Sequence, residues 1–355
     1  MELSKNIRAF RKARSLTQEQ LAEALGVTPG AVYKWEAGLS TPDVRLIMEL
    51  ADLFDTSVDV LLGYEVKNNK RAAALERLKD FECRKDGRGL AEADKFLVRY
   101  PNCFEIVHQS AVLYWRFGFM RRDKALLRRS VELMERAVRL LAQNHDPEIT
   151  EVSIGFDVAQ AYFAMGEYEK AVEIFRQNNP RGSSNDFIGY ILSAHCARAE
   201  EAMPYLSKAL LRCAASLYRV ATGYFHAYFA RGDFRSAANI LQVCLDFFRA
   251  LEKPGQNSFL VKTSVELYAC LAAAQLEMGE PEEAKASLRM AKKRAEQFDA
   301  APDYAGASVR FVSAEKPLTA FDDMGDTAMS SIASRVAAFQ NEMLTALWNG
   351  VRDEK

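Results

Sequence analysis

The sequence predicts an all-α protein in two parts, a compact five-helix domain followed by an array of antiparallel helix pairs. Start and stop signals for short helices recur at close intervals over the first 64 residues, and a pattern of small residue, aromatic and turn glycine recurs at wide spacing afterwards. The composition fits two or more cores: of 355 residues, 49% are apolar, and 47 Lys and Arg nearly balance 48 Asp and Glu.

Leu3, Ile7 and Phe10 form the apolar stripe of the first helix. Thr17 to Gln20 is a capping box, so a second helix starts there; Leu21, Ala22 and Leu25 are its buried face and Gly26 its left-handed stop. Thr28 then caps a third helix with Pro29 at its first position, where a missing N–H is harmless. Two short helices joined through Gly26 make a helix-turn-helix. Val32 and Trp35 face the core, which leaves Pro29, Gly30, Tyr33 and Lys34 outward. Gly38 ends this helix. Asp43 opens a fourth, with Leu46, Ile47, Leu50, Leu53 and Phe54 inward, and Ser57 caps a last turn through Leu61 and Leu62.

The phrase LTQEQLAEALGVTPGAVYKWEAG, Leu16 to Gly38, resembles the helix-turn-helix of the XRE family, the group of phage Cro and cI-type repressors. The likeness runs over residues 3 to 63 and implies the five-helix fold of lambda repressor and binding to double-stranded DNA. By that resemblance Gln18 is the phosphate-binding glutamine at a helix N-terminus. Pro29, Gly30, Tyr33 and Lys34 would lie nearest the bases of the major groove, Lys34 donating to guanine and Tyr33 reaching a phosphate or a thymine methyl, and Thr28 is a further DNA-binding candidate. Gly30 departs from the family pattern and reads no base edge, which shifts weight to DNA shape. Arg11 would pair with Glu36 and join the first and third helices, with direct DNA contact as the alternative. Lys5, Arg8 and Lys12 are candidates for phosphate contacts, although a basic helix face is also often simply solvated. Residues 1 to 66 carry seven Lys and Arg against ten Asp and Glu, so affinity depends on local asymmetry and on dimerisation over a near-palindromic site.

Residues 1 to 66 are thus read as the DNA-binding domain and 67 to 71 as a linker, the polar stretch Tyr64 to Arg71 having no apolar period. Beyond it the chain reads as helical. Ala159, Tyr162, Gly166, Tyr168, Ala171 and Phe175 closely resemble a tetratricopeptide repeat. Weaker copies involve Ala111, Tyr114 and Gly118; Tyr228, Gly232, Phe234, Ala237 and Leu241; and Ala272, Gly279, Ala284 and Leu288. The spacing from Gly166 to Gly232 is about two periods, so a degenerate repeat is expected between them, with Ala202 and Leu206 as its remnant. The reading is a tetratricopeptide-like α-solenoid of roughly five helix pairs over 72 to 299. Residues 300 to 355 are read as an extended connection and one amphipathic helix with Met329, Ile332, Val336, Phe339, Met343 and Leu347 on one face, either a cap or a dimer contact.

In repeats of this type the first helix of each pair lines the concave side, which nominates Phe156, Gln160, Phe163, Phe187, His195, Arg219, His226, Phe229 and Glu266 as ligand-binding residues. Rings with a few polar groups suit an extended peptide, although each ring equally suits packing between helices. The order of the two parts resembles the quorum-sensing peptide receptors of Gram-positive bacteria. That resemblance implies a regulator whose DNA binding responds to a peptide or small ligand; the alternatives are control by a protein partner and a scaffold that has lost DNA binding.

No phosphate-binding glycine loop, zinc-protease motif or nucleophile elbow is present. The four histidines lack ligand spacing. An enzyme, a metal site and a cofactor are therefore not expected. Six cysteines without paired spacing read as reduced core thiols in cytoplasm. The charged N-terminus and short apolar runs speak against a signal peptide or membrane span.

Overall fold

Five short helices occupy the start of the computed structural model, which describes residues 2–63, 68–313 and 319–354. They are α1 (Glu2–Ala13), α2 (Gln18–Ala24), α3 (Pro29–Glu36), α4 (Val44–Leu53) and α5 (Val58–Leu62). The Thr17 capping box is formed in both directions, and Asp43 and Ser57 accept backbone N–H groups at the starts of α4 and α5. Gly26 and Gly38 take the left-handed conformations that stop α2 and α3. Leu3, Ile7, Leu21, Val32, Trp35, Leu50, Phe54 and Leu61 close one core, with Phe10 stacked on Phe54. Thr28 precedes α3 as expected, but its hydroxyl makes no cap bond.

The chain continues through α6 (Asn68–Cys83), α7 (Gly89–Arg99), α8 (Phe104–Arg121), α9 (Lys124–Arg139), α10 (Glu151–Met165), α11 (Tyr168–Gln177), α12 (Asn185–Ala194), α13 (Ala199–Ala230), α14 (Phe234–Leu251), α15 (Phe259–Glu277), α16 (Pro281–Ala300), α17 (Ala328–Ala338) and α18 (Glu342–Asp353). The residues fall into two units, Met1–Phe117 with Glu132–Asn144, and Gly118–Val131 with His145–Lys355. In the second, α10 packs on α11, α12 on α13, α13 on α14 and α15 on α16, the antiparallel pairing of tetratricopeptide-like repeats. Gly166, Gly232 and Gly279 supply left-handed turns between partners.

Several elements depart from the sequence reading. Asn68 to Arg71, expected in the linker, belong to α6, while residues 64 to 67 lie outside the described residues. Gly118 is not a turn: it sits inside α8, where a Cβ would approach Leu127 to 2.8 Å, and the turn falls at Arg122. The degenerate repeat expected around Ala202 and Leu206 is formed by α12 and the start of α13, turned at left-handed Ala197; the turn that is missing is the one to the next repeat, because α13 runs for 32 residues and serves two successive pairs. The single C-terminal helix is two. Gln340 is left-handed and Asn341 caps a new start, so Met343 turns to solvent and Leu344, Trp348 and Val351 face inward. Of the cysteines, Cys244 and Cys270 are buried, whereas Cys83 and Cys213 are exposed.

Helix α15 is apolar enough and long enough to cross a membrane, yet its surroundings are protein. It is enclosed by α14, α16 and α17, and its only charges before its last residue are Lys262 and Glu266, one turn apart and both buried. Lys262 donates to Asp322 Oδ1 at 2.9 Å, Tyr304 Oη at 3.0 Å and the Gly325 carbonyl at 2.7 Å. Glu266 accepts from Tyr218 Oη at 2.6 Å and Arg335 Nη2 at 2.9 Å. The connection after α16 is therefore drawn across α15 by charge, and α17 and α18 pack against α15 and α16.

Removing one partner of a buried pair costs most when the orphaned charge is the deeper one. Lys262 is 1% exposed, whereas the Asp322 side chain is nearer solvent at 14%. Asp322→Asn is expected to lower stability by about 3 kcal/mol and Lys262→Met by distinctly less. Thermal unfolding of both variants checks the order, and the reverse order refutes it.

Candidate nucleic-acid interface and repeat-domain residues

Helix α3 is held by a three-membered network. Arg11 on α1 donates through Nε to Glu36 Oε1 at 2.5 Å and through Nη2 to Oε2 at 3.0 Å, and its Nη1 bonds the Leu16 carbonyl at 2.7 Å. Gln18, the first residue of α2, donates its side-chain amide to Glu36 Oε2 at 2.8 Å. One carboxylate thus joins α1, α2 and α3. The side chains are 11% exposed for Arg11 and 4% for Glu36. Burial pushes the Glu36 carboxyl up, but the bonds from Arg11 and Gln18 with the Arg11 charge outweigh it and hold the group below its ordinary range. The bond to Glu36 likewise raises Arg11.

The network fixes which face of α3 looks outward. Thr28, Pro29, Gly30, Tyr33 and Lys34 are all exposed, Tyr33 at 56%. Nothing lies within 4 Å of a Cβ built on Gly30, so packing does not demand glycine there. Its effect is to leave the outer face of α3 flat and open to close approach. Lys5, Arg8 and Lys12 follow one exposed face of α1, with Lys5 3.4 Å from Glu2. The phosphate contact expected of Gln18 competes with the internal bond to Glu36, because the same amide group would serve both.

In the repeats, the nominated aromatics form two clusters on α10 and α12. Phe156 meets Phe187 edge-on with centroids 5.2 Å apart, and both rest on buried Phe175 of α11. Near the turns, His195 stacks on Tyr168 at 4.3 Å and meets Phe163 and Tyr190 edge-on. Gln160 lies between the clusters on the same face of α10, half-buried. Asp157 was not singled out from sequence; burial pushes its carboxyl up to about 6, and only the fold reveals that a polar position beside Phe156 is desolvated.

The remaining nominated residues lie elsewhere. Phe229 packs between Phe225, Phe234 and Phe339, so α17 and its end cover it. Glu266 is buried, accepts from Tyr218 and Arg335, and lines the same cavity as Arg219. His226 contacts Phe225 and is held below its ordinary value by burial and by Arg335. Arg219 is exposed and lines a cavity of about 520 Å³ with Tyr218, Phe259 and Phe321.

Comparison with known families places a likeness in the N-terminal domain. Residues 7–61 match the helix-turn-helix family. The transcriptional regulator YqaE of Bacillus subtilis is 32% identical over 88 residues, 24% of this chain and 76% of YqaE. The transcriptional activator BcrR of Enterococcus faecalis is 37% identical over 65 residues, 18% of this chain and 32% of BcrR, so the chain spans about a third of that relative. Among solved structures, Bacillus thuringiensis PlcR in complex with the peptide PapR7 and DNA aligns over 84% of this chain and 95% of its own, with 13% identity and a TM-score of 0.22.

The Arg11–Glu36 geometry fixes an expected pH response. A carboxyl held below its ordinary value contributes stability above that value and loses it as pH falls through the folded one. Glu36→Gln strands a buried guanidinium and is expected to cost about 3 kcal/mol near neutrality. The difference from the parent should shrink once pH drops below the ordinary carboxylate range. A difference independent of pH between 7 and 2, followed by unfolding of the N-terminal domain, would contradict the assignment.

Proposed function

The chain belongs to the helix-turn-helix transcriptional regulators, and on that premise we propose that it acts as a homodimer on a near-palindromic operator, with DNA affinity set by a peptide or small ligand on the repeats. The single observation that supports the DNA contact most directly is the outer face of α3. Tyr33 and Lys34 project from it without a partner among the described residues, while the Arg11–Glu36–Gln18 network fixes the inner face. Pro29 and Gly30 add no bulk, so the helix can enter a major groove closely, with Lys34 donating to a guanine edge. Thr28, Lys5, Arg8 and Lys12 are the flanking phosphate contacts, and Gln18 joins them when its amide turns from Glu36.

Two heads are needed because ten acids outnumber seven bases in residues 1 to 66, and few phosphates can be neutralised by one. A symmetric pair sets recognition helices about 34 Å apart. On α4, Val44 and Met48 are 75% and 56% exposed one turn apart, and nearby Leu39 is 70% exposed; these apolar side chains suit contact with a second copy. The ligand surface in this reading is the α10–α12 face with Phe156, Gln160, Phe163, Phe187 and His195. A ligand changes operator affinity only by binding two arrangements of the dimer unequally, and about 1 to 3 kcal/mol of coupling suffices.

Selection of bound fragments from random duplex DNA by the full chain at one fixed salt tests the proposal. A palindrome is expected. Lys34→Ala should weaken binding to that site by about 1 to 3 kcal/mol and relax one position in each half-site. Enrichment altered by cell extract, and lost again in a Phe163→Ala, His195→Ala variant, supports ligand control through α10 and α12. No enrichment under either condition favours a scaffold without specific DNA binding.

A further inference from the structure

Three basic side chains converge where α12 begins, although they are distant in sequence. Arg181 comes from the connection between α11 and α12, and Lys208 and Arg212 lie one turn apart on α13. With Asn179, Gly182, Asn185 and Tyr205 they line an open cleft of about 480 Å³. All three are exposed, and none forms an ion pair with any described residue. The neighbouring bases Arg176 and Arg198 are, by contrast, both ion-paired, Arg176 with Glu201 and Arg198 with Glu201 and Glu169. Acids border the cleft rather than enter it: Glu200 and Glu201 beyond Tyr205, and Asp186 in the adjoining hollow.

The polar floor of the cleft is unfinished in a way that suits an anion. Asn185 is only 7% exposed, and its Oδ1 accepts from Asn179 Nδ2, yet no described residue accepts from its own amide nitrogen. The ten-residue helix α12 starts there without a side-chain cap, and Ser184 Oγ is buried without a hydrogen-bond partner. The Asn185 amide and three unpaired cations thus line one cleft, and an oxyanion is the ligand that satisfies them together. Three positive charges fit a dianion better than a single carboxylate.

We propose that this cleft is a phosphate site, with Arg181, Lys208 and Arg212 as charge partners and the Asn185 amide as the buried donor. A hollow of about 750 Å³ shares Arg212 and Gly182 with it and is lined by Met203, Leu206, Leu210 and Phe311. The phosphate can therefore be free or the head of an ester whose apolar body lies in that hollow.

Calorimetric titration of the full chain with inorganic phosphate, with acetate at matched ionic strength as the reference, tests the site without involving DNA. Saturable phosphate binding is expected, weakened at least tenfold by Lys208→Gln with Arg212→Gln and unaffected by Arg231→Gln. Asn185→Asp, which keeps the acceptor for Asn179 but sets a carboxylate in the floor, should abolish it. Hexyl phosphate separates the sources: tenfold tighter binding that Phe311→Ala removes identifies an ester, and equal affinity identifies free phosphate. Heats indistinguishable from acetate, or phosphate binding unchanged in the folded double variant, overturn the proposal.

Discussion

A helix buried on every side cannot carry an unpaired charge, and that constraint organises the C-terminal half of this protein. Helix α15 places Lys262 and Glu266 one turn apart in an otherwise apolar body. Their partners come from outside the repeat pattern, Asp322, Tyr304 and Gly325 for the lysine and Arg335 for the glutamate. Apolar burial alone would let the segment after α16 settle in many registers. Directional bonds to a buried ammonium and a buried carboxylate select one. The N-terminal domain uses the same device on a smaller scale, where the single carboxylate of Glu36 fixes three helices and thereby the aspect of α3.

What was legible in the sequence is what local chemistry decides. The Thr17 capping box, the Asp43 cap and the stops at Gly26 and Gly38 are written within four residues of where they act, and all are formed. The Tyr162–Gly166–Tyr168–Ala171 phrase is equally local, and α10 and α11 turn where it says. Gly118 shows the limit. A glycine that lets Leu127 approach α8 looks the same in sequence as one that turns left-handed, and only the neighbouring helix distinguishes them.

The illegible parts have distant causes. Glu266 reads as a groove residue because its spacing suits the first helix of a pair; its bond to Arg335, 69 residues later, is invisible to that spacing. The break at Gln340 was hidden because the apolar spacing from Met329 to Leu347 suits one helix, whereas Trp348 and Val351 belong to a second face. Thr28 illustrates the converse, a residue in the cap position that leaves its hydroxyl unused because Pro29 fixes the helix start by its own geometry. Among the nominated ligand residues, those on α10 and α12 come together because repeat spacing places them. Arg219, His226 and Phe229 on α13 and Glu266 on α15 do not join them, since that spacing no longer holds.

The loss of that spacing at α13 has a structural consequence of its own. With second and first helices of the lengths seen in α11 and α10, a turn would fall at roughly residues 209 to 215, between a helix starting at Ala199 and one ending at Ala230. A turn there would part Lys208 from Arg212 and break the wall that both provide. The continuous helix instead holds them at i and i+4, two like charges without an ion pair to any described residue. Like charges kept adjacent on an uninterrupted helix, opposite a third base and a buried amide without an acceptor, are unfavourable by themselves. A bound anion turns the same arrangement into a favourable one, so the irregularity of the repeat and the cationic cleft have a common explanation.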